Sequence, residues 1–388
     1  MATEKSKSSK QQADPQKDDA LSIPRKHVSF FLPELVAGGA ERVFITLSGA
    51  LAERGHRVDL LLARGCGPLL SDVHPKVKVV RLTNCAPDSS PLRLGLQSLW
   101  GLTRYLRTHK PDTLFSTLTG ANLVAILANM LTGKATRLFV REAATLANVK
   151  SRLRLTLMRC LYQKADGIIA LTEFMAQEMR GTLKLQGYDI HVIGNPVDGQ
   201  RIRQLAQQEP ISETEHYRPY LVVVGRLSPQ KDIATAINAL THLRRTNKSI
   251  DLVVVGEGPM RDSLVAHARD CGVEQNVHFV GFQKNPYPWI ASAEVFILSS
   301  KWEGYPNVLF EAACLGKKIV ATNYDPSVEQ LLLEIRKTII VPVANPNHMS
   351  KAISKLVKQP PSKIGHSPAF IMSKTIENYE ALLIRKSK

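Results

Sequence analysis

The chain has no Cys-x-x-Cys pair, no Asp-x-Asp triplet and no long apolar run, and each absence removes a class of explanation. Its cysteines, Cys66, Cys85, Cys160, Cys271 and Cys314, are odd in number and widely spaced. That argues against a disulfide framework and a zinc site, and for a reducing compartment. Without Asp-x-Asp there is no ready seat for a divalent cation, so no metal or other cofactor is expected. A membrane-spanning helix needs roughly 18 consecutive apolar residues. The best stretch, Leu123–Leu131, falls far short. Basic residues near the N-terminus are not followed by an apolar core, so no signal peptide is expected. The expected location is cytoplasmic, or peripheral at the inner face of a membrane.

Positive charge is what the chain has in excess, with a formal net charge of +17. Residues 1–24 are mixed in sign and poor in large apolar side chains; they read as a disordered tail rather than as the source of that charge. The excess lies in Gly133–Lys164, where eight bases stand against Glu142, and in Lys351–Lys388, where eight stand against Glu377 and Glu380. Such charge suits an anionic partner, whether nucleic acid, acidic lipid or phosphorylated substrate, and equally suits a plain solvated surface. No helix-turn-helix, RRM or zinc signature is present, so nucleic acid is not expected. In Val149–Lys164, Leu153, Leu157 and Leu161 recur at i,i+4 beside Arg152, Arg154 and Arg159. An amphipathic basic helix of this kind fits an anionic membrane surface, although the same leucines could pack inward.

At 388 residues the chain suits two domains. Short apolar runs such as His27–Leu32, Thr113–Ser116 and Gly167–Leu171 alternate with helix-like stretches such as Ala40–Arg54 and Leu92–His109. After Asn195-Pro196-Val197-Asp198 and a polar stretch from Gly199 to about Arg218, the alternation restarts at Tyr220. The expected fold is α/β, with two doubly wound, Rossmann-like domains at 25–199 and 200–366 facing a cleft. A last helix within 367–388 follows, and a return to the first domain is one course open to it.

Four motifs fall at strand ends. Gly38-Gly39-Ala40-Glu41-Arg42 precedes the first helix, where glycine permits close backbone approach and a helix N-terminus favours an anion; a tight turn explains it equally well. Gly225-Arg226-Leu227-Ser228-Pro229-Gln230-Lys231-Asp232 sets two cations at a helix start, suited to gripping a diphosphate. Gly256-Glu257-Gly258-Pro259 is a turn that either brings backbone near a nucleotide or is merely a turn. Glu303-Gly304-Tyr305-Pro306-Asn307-Val308-Leu309-Phe310-Glu311 holds two carboxylates, with Pro306 marking a helix start. Glu311 then shares a helix face with Asn307. The N–H groups near Gly304 to Asn307 are expected to face a phosphate.

Taken together and in this order, these motifs, with Val280-Gly281-Phe282, resemble the retaining glycosyltransferases of family four, over about Lys26 to Val343. The resemblance implies the GT-B fold and transfer of a sugar from a nucleotide-diphosphate sugar, such as a UDP-sugar, to a glycan or lipid-linked acceptor. Polysaccharide or lipopolysaccharide biosynthesis is the setting it suggests. It implies that Arg226 and Lys231 hold the donor diphosphate, that Glu311 binds the ribose and that Glu303 contacts the donor sugar. Gly38 and Gly39 then lie near the diphosphate, and Gly225, Gly256, Gly258, Gly304, Asn307 and Val308 complete the donor site. Arg141 and Glu142, at a strand end of the first domain, are candidates for the acceptor side. His56 and His109 read as structural. The family's usual Gly-Gly pair is replaced by Asn323-Tyr324.

Overall fold

The computed structural model describes residues 24–36, 38–86, 89–146, 149, 151–208, 216–217, 219–246, 249–332, 335, 337–360 and 369–384. The tail expected at 1–24 lies almost wholly outside these residues.

Strands β1 (His27–Leu32), β2 (Arg57–Leu62), β3 (Lys78–Arg81), β4 (Thr113–Thr117), β5 (Arg137–Arg141), β6 (Gly167–Ala170) and β7 (Ile190–Val192) form one sheet, in the order β3-β2-β1-β4-β5-β6-β7. A second sheet follows the order β10-β9-β8-β11-β12-β13, from β8 (Tyr220–Val224), β9 (Asp251–Val255), β10 (Val277–Gly281), β11 (Val295–Leu298), β12 (Lys318–Thr322) and β13 (Thr338–Val341). Every pairing is parallel. Parallel strands are covered on both faces, which is why central runs such as Val28–Leu32 and Lys318–Thr322 are buried at every residue.

The helices of the first sheet are α1 (Gly39–Glu53), α2 (Pro91–His109), α3 (Thr119–Leu131), α4 (Arg152–Tyr162) and α5 (Glu173–Thr182). Those of the second are α6 (Gly199–Ala206), α7 (Ile233–Arg245), α8 (Arg261–Asp270), α9 (Tyr287–Ser292), α10 (Asn307–Cys314), α11 (Ser327–Leu332) and α12 (Pro346–Val357). Three of these, α5, α6 and α12, fall where the apolar periodicity gave no helix. Their N-caps were nevertheless written in the sequence: the side chains of Thr172, Asp198 and Asn345 accept from Met175, Arg201 and His348 amides respectively. The polar stretch after Asp198 thus begins as a helix, and Ile202 buries that helix against α9 and α10.

The last helix, α13 (Ala369–Ile384), packs on α1 of the first domain. Its Ile376, Tyr379, Leu382 and Leu383 join Phe30, Phe44 and Phe115 in one core. Each apolar side chain so buried contributes about 1.5–3 kcal/mol. Arg54 pairs with Glu380, and Arg137 Nη1 donates to the Leu383 carbonyl at 3.3 Å.

Candidate active site

Each sheet reverses its strand order once, between β1 and β4 and between β8 and β11. In doubly wound sheets, ligands bind in the crevice at the carboxyl ends of the strands beside such a reversal. Residues 33–36, after β1, and segment 299–306, entering α10, leave the sheets there.

On the second domain, β8 is followed by Gly225, with φ +152°, a region closed to most side chains. A Cβ at Gly225 would lie 3.1 Å from Lys231 Cε, so glycine leaves room for the lysine stem. Gly256 and Gly258 have a different reason. A Cβ on Gly256 would lie 2.1 Å from the Gly225 carbonyl oxygen, and one on Gly258 would lie 2.3 Å from that of Leu227. The close approach these two glycines permit in this structure is loop on loop. The Leu227 amide donates to Glu257 O at 2.9 Å, which locks the two loops together.

Lys231 Nζ lies 2.6 Å from Glu303 Oε1, to which Ser300 Oγ also donates at 2.6 Å. Gln230 Nε2 donates to Glu303 Oε2 at 3.1 Å. Glu303 does lie in the loop before α10, but it is buried and both its oxygens are engaged. It orients the lysine as much as it offers an acceptor to a ligand. Arg226 is the opposite case: it is exposed and makes no hydrogen bond or ion pair with a described residue.

Glu311 stands on the second turn of α10. Burial pushes its carboxyl up to about 7, against the pull of Arg42 and Lys231 toward the charged form. Arg42 comes from α1, so this acid senses a cation from each domain. Val308 is partly buried against the apolar core of the second domain.

The domains touch at the same place. Asn195 Nδ2 donates to Asn307 Oδ1 at 2.7 Å. A Cβ on Gly39 would lie 3.0 Å from Asn307 Nδ2, and one on Gly304 would lie 2.2 Å from the Ala143 carbonyl oxygen. Gly38 is crowded by its own helix, since a Cβ there would lie 2.2 Å from Glu41 Oε2. The buried Glu41 carboxyl is raised, chiefly by desolvation. The amides expected to face a phosphate are thus partly spent, because the Asn307 N–H donates to the Tyr305 carbonyl at 3.0 Å.

Two family models match in succession. That of Glycosyltransferase Family 4 covers residues 37–201, and that of Glycosyl transferases group 1 covers residues 189–366. The chain belongs to the family four glycosyltransferases. Among the relatives of this glycosyltransferase is the N-acetylgalactosamine-N,N'-diacetylbacillosaminyl-diphospho-undecaprenol 4-alpha-N-acetylgalactosaminyltransferase of Campylobacter jejuni. It is 27% identical over 340 residues, which cover 85% of this chain and 90% of that one. The lipopolysaccharide core biosynthesis glycosyltransferase LpsE of Rhizobium meliloti is 26% identical over 82% of this chain and 86% of its own. HepE of Anabaena, solved in complex with UDP and glucose, superposes with a TM-score of 0.70 at 19% identity, covering 94% of this chain and 96% of that one. The fold is therefore GT-B.

In this glycosyltransferase Arg141 and Glu142, the acceptor-side candidates, are both buried. Arg141 is 1% exposed; its Nη1 donates to Thr117 Oγ1 at 2.9 Å and its Nη2 to Asn195 Oδ1. Burial lowers its pKa. Glu142 is 3% exposed and accepts from Tyr162 OH, from Asn122 Nδ2 at 3.1 Å and from Thr119 Oγ1 at 3.2 Å. Burial raises its pKa. A strand end in a parallel sheet looks like a site in sequence; here Thr119 and Asn122 of α3 and Tyr162 of α4 close on Glu142. Two residues passed over as site candidates, Arg42 and Asn195, face the second domain instead. Both lay inside motifs already noted, Gly38–Arg42 and Asn195–Asp198. Among the described residues no three His, Cys, Asp or Glu side chains converge as around a metal ion.

Proposed function

We propose that this glycosyltransferase retains anomeric configuration and moves a sugar from a nucleotide-diphosphate donor, of the UDP-sugar type, to a lipid-linked or glycan acceptor in polysaccharide or lipopolysaccharide assembly. The observation that carries the reading is the Lys231–Glu303 pair set beside Glu311, at the carboxyl ends of the second sheet. Arg226 and Lys231 bind the donor diphosphate, Glu311 accepts from the ribose hydroxyls, and Glu303 positions Lys231 while bordering the donor sugar. The bond from the anomeric carbon to the phosphate oxygen breaks, the acceptor oxygen bonds to that carbon on the same face, and the acceptor proton passes to the leaving diphosphate. The protein supplies orientation and positive charge for the departing group. No divalent ion is required, because the two cations balance that charge. Relatives that act on undecaprenol-diphosphate sugars favour a lipid-linked acceptor.

The test is a screen of nucleotide sugars by proton NMR, reading nucleoside diphosphate release and the anomeric configuration of the product. Release from a UDP-sugar with an unchanged anomer supports the reading. Inversion would refute the retaining course, and no turnover of any nucleotide sugar with lipid-linked or free glycans would refute the donor assignment.

A further inference from the structure

Fourteen large hydrophobic side chains stand exposed among the described residues, and eight of them lie on α2, α3 and α4. These three helices are neighbours, α2 against α3 and α3 against α4, on one face of the first sheet. On α2, Leu92, Leu96 and Trp100 recur at i,i+4 and are 75%, 61% and 66% exposed. On α4, Leu153 and Leu157 face outward, while Leu161 is partly buried against the core. Between them α3 carries no charged residue, yet Leu127, Met130 and Leu131 are exposed. A helix apolar all round is ordinarily covered on all sides.

On these three helices the charge has one sign, whereas α5, packed in the same core, holds Glu173 and Glu178. The sequences of α2, α3 and α4 contain no Asp and no Glu, whereas Arg93, Arg104, Arg107, Arg152, Arg154 and Arg159 stand on α2 and α4. The opposite face of the same sheet is mixed, since α1 holds Glu41 and Glu53 and α13 holds Glu377 and Glu380. A cavity of about 880 Å³ opens between β3 and α2, lined by Arg81, Thr83, Trp100 and Arg104. The Arg104 guanidinium lies 5.6 Å from the Trp100 ring centroid.

We infer that the α2–α3–α4 face seats the protein on an anionic lipid bilayer, with the leucines and Trp100 in the interface and the arginines on lipid phosphates. Apolar side chains flanked by arginines are the composition of an interfacial helix. A second copy of this chain would bring two positive, acid-free faces together, and a nucleic acid would have no use for outward leucines. Helices that cross back over a parallel sheet start at its carboxyl edge. Leu92, Leu96, Leu153 and Leu157 therefore lie toward the cleft, where a lipid-linked acceptor, the proposed substrate on which this inference rests, would be presented.

The experiment is flotation of the full chain with phosphatidylcholine vesicles, with and without phosphatidylglycerol, across a salt series. Flotation with anionic vesicles only, fading with salt, is expected. Emission from Trp100 should shift to the blue on binding, and the shift should vanish in Trp100→Phe. Replacing Arg93, Arg104 and Arg152 with Gln should cut partitioning about a hundredfold, at about 1 kcal/mol for each base near the surface. Leu96→Asp with Trp100→Asp should abolish it, while UDP affinity confirms that the variants fold. Absence of flotation at low salt would overturn the inference, as would partitioning that ignores both variant sets, or a dimer that Trp100→Asp dissolves. Donor hydrolysis without lipid reads the proposed chemistry separately, so either conclusion can fail alone.

Discussion

The two walls of the cleft are built on the same strand order but treat charge differently. On the first wall, Arg141 and Glu142 are buried and bonded to their own domain, apart from the link through Asn195. On the second wall, Arg226 is exposed with no partner among the described residues, Lys231 is held by Glu303, and burial raises the Glu311 carboxyl to about 7. The difference separates a scaffold from a working surface. Hydrogen bonds within the protein tie Arg141 and Glu142 into the fold, whereas an exposed cation with no partner among the described residues, Arg226, is open to a ligand.

The largest effect should come from Lys231→Ala, which leaves the buried Glu303 carboxylate without its cation. Breaking a buried pair from one side costs about 3–5 kcal/mol. Chemical denaturation should show that loss, and transfer should cease. Replacing Lys231 with Met and Glu303 with Leu together should restore most of the stability without activity. Stability that stays low in the double variant would mean the pair is not the unit described.

Glu142→Ala tests the other wall. It leaves Tyr162, Asn122 and Thr119 without their shared acceptor, at about 1–3 kcal/mol for each group left unsatisfied. Melting should move down, while kcat per folded molecule and donor KM stay unchanged. A rise in acceptor KM at constant stability would return Glu142 to the acceptor site.

Arg226→Ala should weaken nucleotide-diphosphate binding by about 1.5–3 kcal/mol, the range for a charged hydrogen bond, and leave stability alone. Calorimetry and denaturation on one preparation decide this. A destabilised variant would erase the contrast with Lys231.

Glu311 gives a smaller, pH-dependent effect. Its folded carboxyl holds its proton more tightly than the unfolded one, so stability falls as pH rises between the ordinary carboxyl range and about 7. Ribose hydroxyls call for the ionised form, so donor affinity should weaken by up to about tenfold per unit as pH drops below 7. In Glu311→Gln both slopes should flatten; a slope that persists belongs to another group. The smallest effect expected is that of EDTA, with turnover unchanged by chelation. Loss that added Mg²⁺ restores would refute metal independence.

Both sheets were legible from short apolar runs, because strands covered on two faces write their burial continuously into the sequence. Legibility stopped where polarity has two meanings. Gly256 and Gly258 read equally as backbone near a nucleotide or as a plain turn, and the sequence could not show that the neighbouring loop fills the space a side chain would need. Arg141 and Glu142 read as a polar strand end facing outward, and only tertiary packing reveals Tyr162, Asn122 and Asn195 closing over them. The Lys231–Glu303 bond joins residues 72 apart in sequence. Each residue stood in a motif that marked it, and neither motif named the other as partner.

The course of α13 has a consequence for how the protein is made. Ile376, Tyr379, Leu382 and Leu383 belong to the same core as Phe30 and Phe44, so the first sheet lacks part of its cover until the whole second domain has been made. During translation the second domain can close on its own residues while the first still waits with an apolar face open. A stop codon before Ala369 would therefore injure the first domain more than the second.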